Sequence, residues 1–412
     1  MSLGTCALTL AGLLAGALAM AAEKPVDPCD YGAVGDGKAD DTAAIQRALD
    51  ASAGGPRVVV LRPGDYRLTS TLDIPAGVCL SGAMPRWEDS STRLMIEEPG
   101  FAAVRLNHTA NVRALCFSYP NNRDTDNPVE YPPAILLVGI NPSVEQIVFD
   151  CAYVGVSTPP EGANVGQSLF RDLTGFVHRT GLRLDGIRDI ARIQDVHWFV
   201  GGTGNASFYR RERVGFEFGA VDGIIMSRCF MIGGKTFVHQ LPTTGAGGNV
   251  HSLGLHITQC WTEAVTYGFL IEGTCGLILS DTQIYVSDPT GAGIAMRMPH
   301  LYYHSTITNT QVRCDGSQAM GVEYSPSDDH NRNHLNLSHC QIVEAGTGVK
   351  LGPKARRVWV TENHITAAGP AIEIAEGADA FFIRDNIVRA AEVVVDHSSE
   401  TAQKQISGNI RD

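Results

Sequence analysis

Residues 29–50 read CDYGAVGDGKADDTAAIQRALD, and this stretch decides the fold. Its closely spaced glycine and aspartate residues predict turns that lead an extended segment into a short helix. Ile45, Ala48 and Leu49 recur at helical spacing, and the Asp-Asp-Thr run at 40–42 supplies candidate N-cap residues. We therefore predict a helix that covers the start of the domain like a lid.

A strand, a turn and a second strand follow this helix. After two glycines, residues 58–61 read VVVL and residues 63–68 read PGDYRL. Together with residues 29–50, they resemble the N-terminal signature of the pectate-lyase-like superfamily. Its members include polygalacturonase-type hydrolases, rhamnogalacturonases, mannuronan epimerases and phage tailspikes. The resemblance implies an all-β chain: a right-handed, single-stranded parallel β-helix, or solenoid, with a short N-terminal capping helix.

The composition agrees with a turn-rich, regularly stacked chain. The 412 residues include 44 glycines, and only 18% are charged, which suits one elongated domain better than a helical protein. The net charge of -12 argues against a general nucleic-acid or anionic-membrane surface. The net charge does not exclude local basic sites that bind an acidic glycan.

The chain divides into a leader and one domain. Residues 1–22 contain an apolar run and small residues typical of a signal peptide, although a basic start is missing and a mis-assigned start codon is the rival interpretation. Residues 23–412 are predicted to form a single parallel β-helix domain, with the cap and first coils at 23–80 and regular coils at 148–412. The leader therefore predicts a secreted or periplasmic protein. No later apolar run is long enough for a membrane span, so we expect the mature protein to be soluble.

A repeat defines the body of this domain from residue 148 onward. An apolar residue, two variable residues and a small or amide-bearing residue recur in a coil of roughly 22 residues with insertions. Equivalent residues of neighbouring coils touch in a solenoid, so the fourth positions should form one inward ladder. These positions are Cys151, Asp172, Val196, Cys229, Cys260, Thr282, Thr310, Cys340, Asn363, Asn386 and Asn409.

The ten cysteines fit this ladder better than a disulfide framework or a metal site. Four of them occupy ladder positions, where a small apolar thiol packs well, and the sequence has no CxxC spacing. We therefore predict mostly free, buried thiols.

A second strand in each coil alternates inward apolar and outward polar residues. The long turns 241–250, 298–305 and 325–334 should lie on one side of the solenoid and wall a groove over the outward row. The outward residues are Arg183, Asp185, Glu217, His239, Glu272, Arg297, Glu323, Lys350 and Glu373.

The groove contains residues for two chemistries. Paired carboxylates suit glycoside hydrolysis, whereas an arginine beside histidine or tyrosine suits β-elimination from a uronate. The predicted catalytic residues are Glu272, Arg297, Glu323 and His300. The predicted substrate-binding residues are Glu217, His239, Tyr302, Tyr303, Asp328, Asp329, His330 and Trp261.

Two alternatives remain open for these surfaces. Alternating charges such as Lys350 and Glu373 are also what solvated ion pairs on any sheet look like. A second candidate face carries Trp261 in line with a row of glutamines, beside Tyr285 and Arg313. Aromatic and amide groups suit sugar binding, and an ordinary solvated face has the same composition.

The residues favour a secreted enzyme that cleaves a polysaccharide, acting as a lyase or a glycoside hydrolase. The competing class is a non-catalytic glycan-binding or structural β-helix of the tailspike type. The catalytic motifs of polygalacturonase-type hydrolases are missing, as is the Asp-Pro-His-Glu motif of mannuronan epimerases. No cofactor is required, and Ca²⁺ is compatible with the sequence but supported by no motif. The oligomeric state is left open, with a homotrimer among the options.

Overall fold

The structure is a computed structural model, and nearly all of its regular structure is β-strand. It describes residues 24–83, 91–200, 208–242, 254–273, 276–299, 304–327 and 334–412. The predicted signal peptide lies outside the described residues. Within them, no helix has the length and apolar composition of a membrane span.

The N-terminal cap forms as the sequence predicts. A 3₁₀ turn at Pro28–Tyr31 precedes helix α1 at Thr42–Ala53. The helix buries Ile45, Ala48 and Leu49 against the first coils.

Two adjacent aspartates hold the start of α1. The Asp40 carboxylate accepts hydrogen bonds from the backbone N–H and the hydroxyl of Thr42, at 3.0 and 2.6 Å. The buried Asp41 carboxylate instead accepts from the backbone N–H groups of Val34 and Gly35, at 2.6 and 3.1 Å. Asp40 therefore satisfies a helix N-terminal donor, while Asp41 ties the preceding turn to the cap.

The strands run parallel to their partners in neighbouring coils. The first eighteen are β1 (Asp36–Asp40), β2 (Val58–Val60), β3 (Gly64–Leu68), β4 (Leu72–Ile74), β5 (Cys79–Ser81), β6 (Thr92–Ile96), β7 (Val104–Leu106), β8 (Asn111–Ser118), β9 (Ile135–Leu137), β10 (Ser143–Ser157), β11 (Leu169–Leu184), β12 (Ile187–Gln194), β13 (His197–Trp198), β14 (Val214–Phe218), β15 (Val221–Ser227), β16 (Phe230–Gln240), β17 (Gly254–Thr258) and β18 (Trp261–Ile271). A short helix, α2 (Phe208–Glu212), precedes β14.

The remaining strands continue the same stacking to the end of the chain. They are β19 (Leu277–Ser280), β20 (Gln283–Ser287), β21 (Ile294–Met298), β22 (His304–Thr308), β23 (Gln311–Asp315), β24 (Met320–Tyr324), β25 (His334–Ser338), β26 (Gln341–Ala345), β27 (Thr347–Leu351), β28 (Arg356–Thr361), β29 (His364–Ala367), β30 (Pro370–Ile374), β31 (Asp379–Arg384), β32 (Ile387–Arg389), β33 (Glu392–Asp396), β34 (Lys404–Ser407) and β35 (Ile410–Arg411).

Each regular coil contributes to three parallel sheets around one apolar core. The first sheet contains β12, β15, β17, β19, β22, β25, β28, β31 and β34. The second contains β13, β20, β23, β26, β29, β32, β35 and the first halves of β16 and β18. The third contains β14, β21, β24, β27, β30, β33 and the second halves of β16 and β18. This arrangement confirms the predicted parallel β-helix.

The inward ladder lies at the turn between the first and second sheets. A residue with positive φ opens each turn, as Gln259 does at 53° and Asp385 at 56°, and the next residue points into the core. From the third predicted repeat onward, the predicted ladder is confirmed by the strand register and by burial. Its buried members are Val196, Cys229, Cys260, Thr282, Thr310, Cys340, Asn363 and Asn386.

The first two predicted rungs are wrong. Asp172 has φ 57° and is the turn residue itself, so Leu173 points inward in its place. Leu173 pairs with Ile147 in the previous coil, which leaves Cys151 in a later bend of β10 and only partly buried. Large apolar side chains, Ile147 and Leu173, fill these two rungs. The small-residue pattern therefore matched Asp172, one residue before its rung, and Cys151, in a later bend.

The thiols of the described cysteines are free, as predicted. Burial raises the pKa of Cys116 and Cys314 to about 12 and that of Cys340 to about 11. Cys229, Cys260 and Cys340 also point their Sγ atoms at backbone carbonyl oxygens two residues earlier. The buried thiols are Cys116, Cys229, Cys260, Cys314 and Cys340.

Replacing Asn386 by leucine should lower the free energy of unfolding by about 1–3 kcal/mol, because buried hydrogen-bonding groups lose their partners. Its Nδ2 donates to Val360 O and to Asn409 Oδ1, each at 2.9 Å, and its Oδ1 accepts from the Asn363 backbone N–H at 3.0 Å. Urea unfolding followed by circular dichroism measures the change. Asn336→Leu, on the outer face of β25, is the matched control, and an equal loss in both variants would contradict the ladder.

Thiol titration with a chromogenic disulfide reagent tests the packing of the cysteines. Near neutral pH the five buried thiols should be unreactive in the native protein, because burial makes them inaccessible and raises the pKa of Cys116, Cys229, Cys314 and Cys340. Denaturation without reductant should expose them all. If denaturation alone releases no additional thiols, the cysteines form disulfides and the packing argument fails. The same raised pKa values make stability depend on pH. Above pH 9 the thiols of the unfolded chain ionise while the buried Cys116 and Cys314 thiols stay protonated, so the free energy of unfolding should fall as the pH rises toward 12.

Candidate functional site

The outer row of the third sheet carries most of the charged residues that the sequence singled out. Period-two alternation sends their apolar neighbours into the core, so one outward residue per coil lies in line with the next. In register, the row is Arg183, Glu217, His239, Leu270, Arg297, Glu323, Lys350 and Glu373.

Glu272 is absent from this row, which corrects the prediction that it aligns with Arg297. Leu270, 9% exposed, occupies the equivalent position. Leu270 and Glu272 are two residues apart, so strand alternation predicts that both point outward. Only the pairing of β18 with β21 shows that Leu270, not Glu272, lies beside Arg297. Glu272 follows the end of β18, where its backbone N–H donates to Gln240 O at 2.9 Å.

The Glu272 side chain reaches a different partner. Its Oε2 lies 2.8 Å from Nε2 of His239 in the preceding coil. The side chain of His239 is largely buried, so this contact fixes the ring orientation. When Nε2–H donates to Glu272, the other ring nitrogen, Nδ1, carries the lone pair that can accept a proton.

Three further ion pairs join neighbouring coils along the row. Arg183 Nε lies 3.2 Å from Glu217 Oε1, Arg297 Nε lies 3.1 Å from Glu323 Oε2, and Lys350 Nζ lies 3.3 Å from Glu373 Oε1. Leu270 separates the Arg297 pair from His239. Two charged clusters therefore lie along the row: the first comprises Arg183, Glu217 and His239 together with Glu272 beside the row, and the second comprises Arg297, Glu323, Lys350 and Glu373.

A cavity of about 560 Å³ opens beside the first cluster. Turns containing Pro132–Pro133 and Pro159–Pro160 wall it on one side, and the strand residues Arg179, Arg183 and Glu217 line the other. Sequence reasoning named Arg183 and Glu217 but did not predict this cavity. The paired prolines that flank β10 were the available signal, because proline stiffens a turn that must stand off the sheet.

The arginines in this cavity are held differently. Arg179 donates from Nη1 to the backbone oxygen of Glu212 at 2.7 Å, which fixes it to the end of α2. Arg183 faces Glu217, yet its buried Nε has no aligned hydrogen-bond partner among the described residues. The Arg183 side chain, 31% exposed, lines the cavity and carries the positive charge with which an anion can pair.

Several predicted residues lie outside the described part of the chain. They are His300, Tyr302, Tyr303, Asp328, Asp329 and His330. Trp261 is described, and it lies on the second sheet, away from the charged row. The structure thus brings Glu217, His239 and Glu272 together, pairs Arg297 with Glu323, and separates Trp261 from both clusters.

Potential metal ligands do not converge in the described residues. Within those ranges, no three His, Cys, Asp or Glu side chains are grouped as an ion would need. In both charged clusters, each carboxylate contacts a cation or a histidine of a neighbouring coil.

Comparison with known proteins supports the fold. Residues 28–92 match the family described as rhamnogalacturonase A/epimerase, pectate lyase-like. Mannuronan C5-epimerase AlgE6 of Azotobacter vinelandii is 47% identical over 53 residues, which are 13% of this chain and 6% of that protein. These matches confirm the resemblance of the N-terminal cap, and they cover only a small part of the relatives.

Two solved structures share the architecture along nearly the whole chain. Gene product 12 of bacteriophage phi29 in its pre-mature form aligns with a TM-score of 0.62 at 12% identity, covering 97% of this chain and 57% of that one. The A-module of the Azotobacter vinelandii mannuronan C-5 epimerase AlgE4 aligns with a TM-score of 0.52 at 17% identity, covering 93% and 100%. At these identities the likeness shows the fold alone.

The Lys350–Glu373 pair tests how much such contacts stabilise the sheet. Both side chains are about one-third exposed, so solvent screening should leave a coupling of about 1 kcal/mol or less. A double-mutant cycle with Lys350→Ala and Glu373→Gln, followed by urea unfolding, measures that coupling. A value well above 2 kcal/mol would show that the row is a structural network.

Proposed function

Because this chain is a parallel β-helix whose residues 28–92 match a pectate lyase-like family, we propose that it is a secreted enzyme that cleaves an acidic polysaccharide by β-elimination. The observation that carries this proposal is the first charged cluster, in which an arginine and a carboxylate-bound histidine lie on the same outward row, two coils apart. The apolar leader at residues 7–19 supports export.

The cluster supplies the two groups that β-elimination from a uronate needs. Arg183 binds the sugar carboxylate and stabilises the negative charge that develops when the neighbouring C5 proton leaves. His239, oriented by Glu272, accepts that proton at Nδ1. The electrons of the C5–H bond then form the C4–C5 double bond, and the C4–O bond breaks with its electron pair on the leaving oxygen, which takes a proton from water. Glu217 keeps Arg183 in place at 3.2 Å.

The Arg297–Glu323 pair of the second cluster lies along the same row and serves a neighbouring sugar. Arg297 is 44% exposed and paired on one side by Glu323, so it can bind another uronate carboxylate. Leu270 separates this pair from His239, which argues against direct proton transfer by Arg297 or Glu323. We therefore assign catalysis to His239 and Arg183, and substrate binding to Arg297 and Glu323.

A hydrolase remains the second candidate function. Glu217 and Glu272 flank His239 from neighbouring coils, and a pair of carboxylates is the usual machinery of glycoside hydrolysis. Product analysis separates the two chemistries, because only elimination leaves an unsaturated sugar at the new chain end.

Activity on uronate polysaccharides tests the proposal. The protein should release products with ultraviolet absorbance from the C4–C5 double bond when incubated with polygalacturonate, alginate or rhamnogalacturonan. Arg183→Ala and His239→Gln should each lower kcat at least about a hundredfold, the scale for losing a charge-stabilising or proton-transfer group. Arg297→Ala should act mainly on KM.

Lys350→Ala is the matched control, because it removes a cation from the same row four coils from His239. Its kcat should stay near that of the unmodified protein. If new reducing ends form without an unsaturated sugar, the enzyme is a hydrolase and the proposed elimination is wrong. Binding of a polysaccharide without any turnover would assign the chain to the non-catalytic, glycan-binding class.

A further inference from the structure

The outer surface of the second sheet carries a row unlike the charged one. In register along β13, β16, β18, β20, β23 and β26, the outward residues change from aromatic to amide without a charged side chain between them. They are His197, Phe230, Trp261, Gln283, Gln311 and Gln341.

The aromatic half forms a continuous platform. The ring centroids of His197 and Phe230 are 4.6 Å apart, and those of Phe230 and Trp261 are 6.1 Å apart, both with steeply inclined planes. Trp261 ends the platform and is 45% exposed. An indole held by its neighbour while much of its surface stays in water offers an apolar face to a ligand.

The amide half continues directly from the indole. Gln311 Nε2 donates to Gln341 Oε1 at 2.9 Å, so these side chains are oriented along the solenoid axis. A groove of about 460 Å³ runs over this junction and is lined by Gln259, Trp261, Asp281, Gln283, Asn309 and Gln311. Indole and amides therefore line one groove, where an amide can both donate and accept a hydrogen bond.

The cation beside this groove, Arg313, is paired within the protein, whereas Asp281 keeps its negative charge. Arg313 lies over the Tyr285 ring at 5.0 Å and pairs with Glu344 at 2.7 Å. Asp281 accepts a hydrogen bond from the Asn309 amide. No surplus of positive charge faces the groove among the described residues, so its chemistry matches a neutral ligand and disfavours a polyanion.

We propose that this surface binds a neutral polysaccharide that lies along the solenoid axis. The rise of about 4.8 Å between coils is close to the length of one pyranose in an extended chain, so one sugar can face each coil. One ring stacks on Trp261, and the hydroxyls of the following sugars hydrogen-bond to Gln283, Gln311 and Gln341. This site is independent of the charged groove on the third sheet and of the reaction proposed there.

Native affinity electrophoresis of the full chain tests this site with barley β-glucan, galactomannan and arabinoxylan as neutral probes and polygalacturonate as the anionic probe. At least one neutral polysaccharide should retard the protein and quench its tryptophan fluorescence. Trp261→Ala should weaken that retardation at least about tenfold and abolish the quenching, because it removes the stacking surface. Gln311→Ala should weaken retardation to a smaller extent.

Ile278→Ala is the matched control, because Ile278 is an exposed apolar residue, 44% accessible, on the first sheet. Its retardation should equal that of the unmodified protein. The proposal is overturned if no neutral probe retards the protein, if Trp261→Ala and Ile278→Ala behave alike, or if Trp261→Ala changes retardation by polygalacturonate alone. Each result is independent of whether uronate polymers are cleaved, so the two proposals fail separately.

Discussion

The constraint on which the structure depends is the stacking of each coil on the one before it. Every strand finds its hydrogen-bond partners in neighbouring coils, so a turn must recur at the same place in each coil. Between the first and second sheets, a residue with positive φ makes that turn and places the next side chain in the core. The Asn363, Asn386 and Asn409 amides then satisfy backbone N–H groups that the turn leaves unpaired.

The same stacking determines how the surfaces can work. Outward residues of successive coils lie about one strand spacing apart, so each sheet displays a column of side chains along the axis. On the third sheet this column pairs cations with carboxylates, beside a cavity that Arg179 and Arg183 line. On the second sheet it joins Trp261 to a line of glutamines. One architecture thus presents a charged row and an aromatic-and-amide row on separate faces.

Register decided the most consequential difference between expectation and structure. Glu272 and Leu270 both point outward, and a shift of one outward position moves Glu272 out of line with Arg297 and into contact with His239. That contact orients the His239 ring. It also explains why the proposed catalytic centre lies one cluster away from the residues that sequence spacing favoured.

The sequence by itself determined the parallel β-helix, the capping helix and most of the ladder. These features are local: helical spacing at Ile45, Ala48 and Leu49, and a turn signal that returns every 23 residues from Cys340 to Asn409, can be read without knowing which coils pair. Only the tertiary structure decided the rungs at Ile147 and Leu173, the His239–Glu272 contact and the cavity beside Arg183. Insertions make the coils unequal in length, so the strand pairing that aligns one coil with the next depends on the packed core.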